Sequence, residues 1–201
     1  MGIKNYSILL TFIMCLIIPG IMAAEKQKYK VLYSEGNFEI RFYPPSTTAS
    51  YTVDGNYDTG RNKAFMKLYD YIVGENTTKR QIAMISPVHI EEETHNRLIM
   101  RFVMPENMHF EEFPKPNENS IRILRSTSYY TASLRFGGFA SQKKIKARII
   151  ELKKILDKRN IVYTDKYIFM GYDPPFKFFK RHNEIHLLVV PEHLPKEYNN
   201  N

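Results

Sequence analysis

Several short stretches of the chain alternate between apolar and polar residues, and such alternation predicts β-strands that bury one face. Residues 38–42 read Phe-Glu-Ile-Arg-Phe and give the clearest example. Further strands are predicted at residues 48–53, 82–90, 98–104, 121–124, 130–136, 167–172 and 185–190. We therefore expect a fold that is rich in short strands.

Two longer stretches place apolar residues at helical spacing, and they predict two helices at residues 60–73 and 141–158. The inward side chains of the first are Phe65, Leu68, Tyr69 and Ile72, at i, i+3, i+4 and i+7. Those of the second are Ile145, Ile149, Leu152 and Leu156, and its outer face carries Lys143, Lys144, Lys146, Lys153 and Lys154. We interpret this lysine-rich face as solvated, with an anionic docking surface as the alternative.

Two parts of the chain resemble each other and predict an internal repeat. Residues 48–55 have a counterpart in residues 130–138, and both lead into a predicted helix. The strand before Val-Met-Pro-Glu at 103–106 likewise matches the one before Val-Val-Pro-Glu at 189–192. We therefore predict one pseudo-symmetric domain over residues 25–195, with repeats at about 29–113 and 120–192. The proline-rich residues 105–119 are interpreted as the linker, and residues 196–201 as a disordered tail.

Residues 1–24 have the layout of a secretory signal peptide. Lys4 precedes an apolar run at 8–18, and Pro19-Gly20 and the small residues Ala23-Ala24 follow. We predict cleavage after one of these alanines, with an uncleaved anchor as the alternative. The mature protein is then secreted or periplasmic, and it meets a membrane only transiently through this segment.

Composition narrows the class of protein. The hydrophobic fraction of 43% in 201 residues is enough for one soluble domain with its own core. The net charge of +8 favours phosphates, anionic lipids or a dianionic ligand as partners. No nucleic-acid-binding motif is visible and acidic runs interrupt the basic residues, so nucleic acid is not expected as a partner.

The remaining motifs argue against a cysteine, metal or catalytic site. Cys15 is the only cysteine and lies in the predicted leader. The six histidines are not spaced as a metal site, and no nucleophile elbow, phosphate loop or His-Glu-x-x-His motif is present. We predict a protein without catalytic or metal-binding residues. Asn76-Thr77-Thr78 is a glycosylation sequon in a eukaryotic host, and we expect it in a surface loop.

A basic and aromatic stretch follows the diproline Pro174-Pro175. Lys177, Lys180 and Arg181 alternate there with Phe176, Phe178 and Phe179. Positive charge beside flat apolar surface suits a planar dianion, although a solvated hairpin loop over a core edge has the same composition. We expect Glu184, which follows, to pair with Arg181 or with the first repeat.

Four segments in this order resemble the SOUL, or haem-binding protein, family. They are residues 38–43, 84–88, 135–140 and 171–185, and the resemblance covers about residues 33–190. It implies an α+β fold, a distorted antiparallel β-barrel flanked by two α-helices. It also implies non-catalytic, non-covalent and reversible binding of haem or another tetrapyrrole by a monomer.

The resemblance further implies a shallow apolar groove beside the first helix. Its residues here would be Asn62, Phe65, Met66 and Tyr69 on the helix and Lys177 in the loop after the diproline. Packing in the core is the alternative for Phe65 and Tyr69. His, Tyr and Met can all ligate haem iron, and the sequence does not select one.

Two positions depart from the family pattern. Phe42 occupies the place of a histidine that has been proposed as an axial ligand in some members, and phenylalanine cannot coordinate iron. Asn62 stands where a basic residue is expected, although Arg61 and Lys63 flank it. Binding would then depend on apolar contact and charge pairing.

The leading hypothesis is an exported protein that binds, buffers or transports haem or another tetrapyrrole. The alternative is an interaction module on the same scaffold, which presents residues 105–119 or the lysine-rich second helix to a protein or an anionic surface.

Overall fold

The structure is a computed structural model, and it describes residues 25–93, 96–174 and 176–198. The predicted leader, including Cys15, lies outside the described residues. Nine strands and two long helices make up the fold. The strands are β1 (Lys30–Glu35), β2 (Phe38–Tyr43), β3 (Thr47–Asp54), β4 (Ile85–Glu93), β5 (Arg97–Val103), β6 (Arg122–Arg125), β7 (Tyr129–Phe136), β8 (Tyr163–Gly171) and β9 (Asn183–Val189); the helices are α1 (Tyr57–Val73) and α2 (Gln142–Lys158).

All nine strands belong to one antiparallel sheet in the order β1-β2-β7-β9-β8-β4-β5-β3-β6. The prediction of an α+β fold with an antiparallel sheet and two helices is confirmed. Strands β1 and β6 form the two edges, and among the described residues no ladder joins them. Closure of the sheet into a barrel is therefore not confirmed.

The two halves of the sheet list their strands in a corresponding order. Outward from the β8–β4 pair, one side runs β4, β5, β3, β6 and the other runs β8, β9, β7, β2. With β1 set aside, each half of the chain follows the order strand, strand, helix, strand, strand, and its first strand (β2 or β6) pairs with a strand of the other half. The predicted repeat would produce this arrangement, and the repeat itself stays a prediction.

Helix α1 begins three residues before the predicted start because Asn56 caps it. The Asn56 side chain accepts hydrogen bonds from the backbone N–H groups of Asp58 and Thr59, at 2.9 and 3.2 Å. The helix ends as predicted at Gly74, whose φ of 123° disfavours any residue with a Cβ. Ser141 caps α2 in the same manner, by accepting from the N–H of Lys144 at 3.3 Å.

Both helices pack on one face of the sheet, which we call the helix face. The buried residues of this core include Ile40, Ala132, Leu134, Ile185 and Leu187 from strands, Ala64, Leu68 and Ile72 from α1, and Ile145, Leu152 and Leu156 from α2. Burial of each large aliphatic side chain contributes about 1.5–3 kcal/mol. No helix in the described ranges is long and apolar enough to cross a membrane.

Residues 105–119 are not a free linker. Phe113 is buried, and the Tyr71 hydroxyl of α1 donates to the carbonyl of Pro114 at 3.0 Å. Lys67 of α1 also pairs with Glu118, with 2.9 Å between Nζ and Oε2. The segment therefore packs against α1, which limits its use as a separate docking arm.

The expected disordered tail differs from the structure over its first residues. Residues Lys196–Tyr198 form a short turn, and Tyr198 is buried with its ring 4.6 Å from that of Tyr33. Arg159 also donates to the Tyr198 hydroxyl at 3.3 Å. Residues 199–201 lie outside the described ranges.

Asn76 of the sequon is not in an exposed position. Its side chain is buried, and its amide nitrogen donates to the carbonyls of Tyr71 and Arg80, at 3.0 and 2.7 Å. A glycan on this nitrogen would replace one of the two donor hydrogens and would need room that the fold fills. The surface position expected for the sequon is therefore wrong in the folded protein.

Candidate functional site

Four of the five predicted ligand residues lie on α1, along a strip that the helix leaves open to solvent. We call this the α1 strip, formed by Asn62, Phe65, Met66, Tyr69 and Val73. These residues recur at intervals of three and four, so they lie on adjacent turns of one side of the helix. Met66 is 52% exposed and Tyr69 40% exposed. The strip therefore offers apolar surface that the described core does not cover.

The aromatic rings of the α1 strip pack against each other and against the core. The rings of Phe65 and Tyr69 lie nearly parallel, with 6.0 Å between centroids and 14° between planes. Phe65 is half-buried and meets Phe102 of β5 edge-on at 5.2 Å. Phe65 thus combines the two alternatives left by the sequence, because it packs on the core and also contributes to the strip.

Tyr69 was predicted to face inward with Leu68 and Ile72, and here the structure differs. Leu68 and Ile72 are buried, whereas Tyr71 takes the third inward position at this end of α1. The hydrogen bond from Tyr71 to the 105–119 segment explains this choice, because it satisfies a buried hydroxyl. Tyr69 therefore faces outward and belongs to the α1 strip.

Basic side chains flank the start of the α1 strip. Lys63 is exposed, and the Arg61 guanidinium lies 4.9 Å from the centre of the Tyr57 ring. Burial raises the pKa of Tyr57, while the positive charges of Arg61 and Arg181 oppose that rise. Arg181 belongs to the loop between β8 and β9, so that loop is a neighbour of the first turn of α1.

Lys177, the fifth predicted residue, lies in the β8–β9 loop. Its ammonium pairs with Asp173, with 2.5 Å between Nζ and Oδ1. Among the described residues, no hydrogen bond or ion pair joins Lys177 to α1. The structure therefore brings together the four helical residues and leaves Lys177 engaged elsewhere.

The α1 strip fits a planar apolar ligand with acidic edges, which is the chemistry of haem. The nearly parallel Phe65 and Tyr69 rings supply flat apolar surface, and Lys63 and Arg61 supply positive charge for propionates. Tyr69 and Met66 also carry atoms of the kinds that ligate haem iron. Phe42 offers no such atom, and its ring instead packs against Tyr130 at 5.1 Å.

A second group of charged and polar side chains lies on the opposite face of the sheet, which we call the polar face. Its centre is Glu184 of β9, which is fully buried. Arg41 donates to both Glu184 oxygens, at 2.7 and 3.0 Å. Tyr172, His182 and His186 donate at 2.9, 2.6 and 2.8 Å. Five hydrogen bonds and the positive charge of Arg41 thus compensate this carboxylate, although Arg41 Nε also pairs with Glu39 Oε2 at 2.6 Å.

The partners of Glu184 fix its ionisation. Burial would raise its pKa, but the hydrogen bonds from His182 and His186 and the contact with Arg41 hold the pKa well below its usual range. Burial, with the positive charge of Arg41, lowers the pKa of His186 despite the opposing contact with Glu184. We therefore assign His186 as neutral, with its proton on Nε2 because a carboxylate can only accept. Its Nδ1 then accepts from the Thr131 hydroxyl at 3.0 Å.

The sequence allowed Glu184 to pair with Arg181 or with the predicted repeat, and the structure selects Arg41 of β2. Arg181 instead donates to the carbonyls of Pro174 and Lys177, at 2.8 and 2.7 Å. The sequence did indicate which face Arg41 lies on. It stands between Ile40 and Phe42, and a polar residue between two inward apolar ones lies on the other face of the strand. The sequence did not reveal that this face is also buried.

Another buried histidine lies on the polar face. His89 of β4 is within 2.9 Å of the Gln27 side chain, and burial lowers its pKa to about 3. Within the described ranges no three His, Cys, Asp or Glu side chains are placed to hold a metal ion. His182 and His186 both contact the Glu184 carboxylate, and Arg41 already binds it. We therefore interpret the polar face as stabilising the fold.

The chain was also compared with known proteins. The model of the family described as SOUL heme-binding protein matches residues 24–188. Heme-binding protein 2 of Homo sapiens is 29% identical over 165 residues, which cover 78% of this chain and 80% of the relative. Heme-binding protein 1 of Xenopus tropicalis is 29% identical over 154 residues, which cover 74% and 81%.

Solved structures share the fold at low sequence identity. A hydrolase from Listeria innocua superposes with a TM-score of 0.55 at 11% identity, covering 83% of this chain and 94% of the other. The C-terminal domain of EcmrR superposes with a TM-score of 0.57 at 11% identity, covering 81% and 98%. At this identity the likeness concerns the fold alone and carries nothing about catalysis.

Proposed function

The chain belongs to the SOUL heme-binding protein family, and from this premise we propose that it binds haem or a related tetrapyrrole on the α1 strip. The observation that carries the proposal is the open apolar surface of Phe65, Met66 and Tyr69 beside the basic residues Arg61 and Lys63. The two relatives named above carry haem binding in their names.

The residues of the strip have different roles in this proposal. Phe65 and Tyr69 provide the flat contact, and Met66 covers the ligand edge on the same side of the helix. Asn62 contacts a polar edge, and Lys63 or Arg61 pairs with a propionate. Lys177 reaches the ligand only if it leaves Asp173, so its contribution is the smallest. When bound, haem supplies its own iron and porphyrin chemistry, and no residue here is assigned a catalytic step.

A haemin titration followed by the Soret band tests this proposal. We expect saturable one-to-one binding that Phe65→Ala/Tyr69→Ala weakens at least about tenfold, a loss of about 1.4 kcal/mol. Lys177→Glu should weaken binding less than the helix variant. The proposal would be contradicted if haemin uptake did not saturate and an unrelated basic protein took up as much.

Reversible, non-covalent binding is a separate part of the proposal. Apomyoglobin added to the haemin-loaded protein should withdraw the haem completely, and denaturation should leave no haem attached to the chain. Haem retained after denaturation would contradict it. A loaded protein that also consumes its haem would contradict the non-catalytic role in buffering or transport.

We further propose that the protein is exported as a monomer. The support is the leader-like layout of residues 1–24. N-terminal sequencing of the protein recovered outside the producing cell should start at Ala24 or Glu25. Recovery of an intact N-terminus inside the cell would contradict export.

An interaction module is the second candidate, and exposed Lys143, Lys146 and Lys154 on α2 favour it. Under this function the residues of α2 are the determinants. Reversal of the three lysines to glutamate would then abolish partner capture and leave haemin uptake unchanged and non-saturating.

A further inference from the structure

The most exposed large apolar side chains in the described ranges do not lie on α1. They are Phe176, Phe178 and Phe179 of the β8–β9 loop, at 74%, 67% and 84% exposure. Three phenyl rings in this state leave on the order of 400 Å² of apolar surface in water. A patch of that size on a soluble protein marks an interaction site.

A fourth phenylalanine extends this patch from the loop before α2. Phe139 is 54% exposed, and its ring meets Phe178 edge-on at 6.1 Å. The Arg181 guanidinium lies 4.9 Å from the centre of the Phe139 ring. We call Phe139, Phe176, Phe178 and Phe179 together the phenylalanine patch. Two loops that are distant in sequence thus build one surface.

The β8–β9 loop has internal bonds that hold the rings outward. Asp173 accepts from the backbone N–H of His182 at 2.5 Å and pairs with Lys177 on its other oxygen. Arg181 donates to the carbonyls of Pro174 and Lys177 and, at 3.2 Å, to that of Asp173. Several polar groups of the loop therefore bond to one another, although Arg181 Nε is buried without a partner among the described residues, and the apolar rings remain outside.

The surroundings of the patch are strongly cationic. Residues 137–144 and 172–182 together contain five basic residues, Lys143, Lys144, Lys177, Lys180 and Arg181, and one acidic residue, Asp173. Asp173 is already paired with Lys177. Lys143 and Lys180 are exposed, and they lie four residues after Phe139 and directly after Phe179 in the chain. Phosphate-bearing surfaces are the partners that such a charge balance attracts.

From these observations we propose that the phenylalanine patch docks on a lipid bilayer with anionic headgroups. The phenyl rings would enter the boundary between headgroups and acyl chains, while Lys143 and Lys180 remain at the level of the lipid phosphates. Each lysine near an anionic membrane surface contributes about 1 kcal/mol. This contact is additional to the transient one through the leader, and it does not depend on haem binding.

The shape of the patch favours a bilayer over a protein or a nucleic acid. Rings exposed by two thirds or more protrude from the surface, and a soft apolar phase can surround them without a matching pocket. Nucleic acid would satisfy the lysines but would offer the protruding rings only single-stranded bases to stack on. A bilayer satisfies both parts at once.

Co-sedimentation with vesicles tests the proposal. Vesicles of phosphatidylcholine alone are compared with vesicles that also contain phosphatidylserine, and the full chain with the chain that starts at Glu25, because the apolar leader can bind lipid by itself. We expect both chains to bind the anionic vesicles, and salt to weaken this binding. Binding by the full chain only would assign the effect to the leader and overturn the proposal.

Two variants with matched controls localise the contact. Phe176→Ser/Phe178→Ser/Phe179→Ser should lower partition into anionic vesicles at least about tenfold, and Lys143→Glu/Lys180→Glu should do so by a similar factor. The control Leu124→Ser/Ile150→Ser/Val162→Ser removes exposed apolar side chains elsewhere and should change nothing. Two results would overturn the proposal. One is an equal loss of vesicle binding in the control. The other is a phenylalanine variant that keeps vesicle binding and loses haemin binding.

A fluorescent reporter gives an independent readout, because the chain contains no tryptophan. Phe178→Trp should show a blue-shifted emission with anionic vesicles and quenching by brominated lipid. Ile150→Trp, on α2, should show neither. Emission from position 178 that lipid leaves unchanged would contradict insertion of the patch.

Discussion

The helix face and the polar face of the sheet are built from alternate residues of the same strands, yet they are stabilised in different ways. On β2, Ile40 packs under the helices while Arg41 points to the other side; on β9, Ile185 and Glu184 divide in the same manner. Both faces are buried here. The helix face depends on apolar area, which many side chains can supply, whereas the polar face depends on particular partners for one carboxylate.

The comparison implies that the two faces respond differently to substitution. Removal of an apolar side chain costs its transfer free energy and leaves a cavity. Removal of one partner of a buried ion pair leaves an uncompensated charge.

Loss of Arg41 should have the largest effect. Arg41→Met leaves Glu184 buried without its cation, and we expect a loss of about 3–5 kcal/mol in the free energy of unfolding. Equilibrium denaturation by urea measures this loss. Arg125→Met is the matched control, because its pair with Glu111 is exposed and should contribute only about 0–1 kcal/mol. Similar losses in the two variants would remove the distinction between the faces.

A core substitution on the helix face should have a comparable or smaller effect. Leu68→Ala removes a fully buried side chain under α1, with an expected loss of about 2–5 kcal/mol. The same denaturation experiment on Met66→Ala, two positions away on the α1 strip, should show a change within about 0.5 kcal/mol. If Met66→Ala were as costly as Leu68→Ala, the strip would be core and not an open surface.

The polar face should make the stability of the protein depend on pH, because its buried histidines and carboxylate titrate and the apolar residues of the helix face do not. His89 and His186 are neutral in the folded state because their pKa values are lowered, whereas the unfolded chain binds their protons below about pH 6.5. Their stabilising effect is therefore complete above about pH 6.5 and is lost as the pH falls; for His89, whose pKa is about 3, the loss at pH 5 is about 2 kcal/mol. Glu184, with its lowered pKa, adds a further loss below about pH 4.3.

Urea denaturation at a series of pH values measures this slope. His89→Gln removes one titrating group and should flatten the curve between about pH 6.5 and 5. Stability that is constant from neutral pH to about pH 5 in the parent protein would show that the two histidines bind protons equally in the folded and unfolded states, so that their folded pKa values are not lowered.

The helix face was accessible to sequence analysis and the polar face was not. Strand alternation and the spacing of Leu152 and Leu156 identified both helices, most of the inward residues and every strand except β1, because apolar periodicity reports burial directly. Arg41 and Glu184 read as solvent-facing positions in the same patterns. Their burial follows from the way the sheet and the segment around Gln27 enclose them, which depends on contacts between distant parts of the chain.

The candidate site was predictable in part. The resemblance placed four residues on α1, and the structure groups them on one open strip. It did not show that Lys177 is held by Asp173, since that pair depends on how the β8–β9 loop folds back on itself. Tyr69 was assigned inward because its spacing fits, and only the hydrogen bond between Tyr71 and Pro114 explains why Tyr71 is buried in its place.

The most direct test of the proposed α1 site is the haemin dissociation constant of two matched aromatic variants. Phe65→Ala/Tyr69→Ala removes the ring pair of the strip, and Phe42→Ala/Tyr130→Ala removes a ring pair from β2 and β7. We predict that the first raises the dissociation constant at least about tenfold and that the second leaves it unchanged. Equal dissociation constants for the two variants would contradict a ligand site on α1.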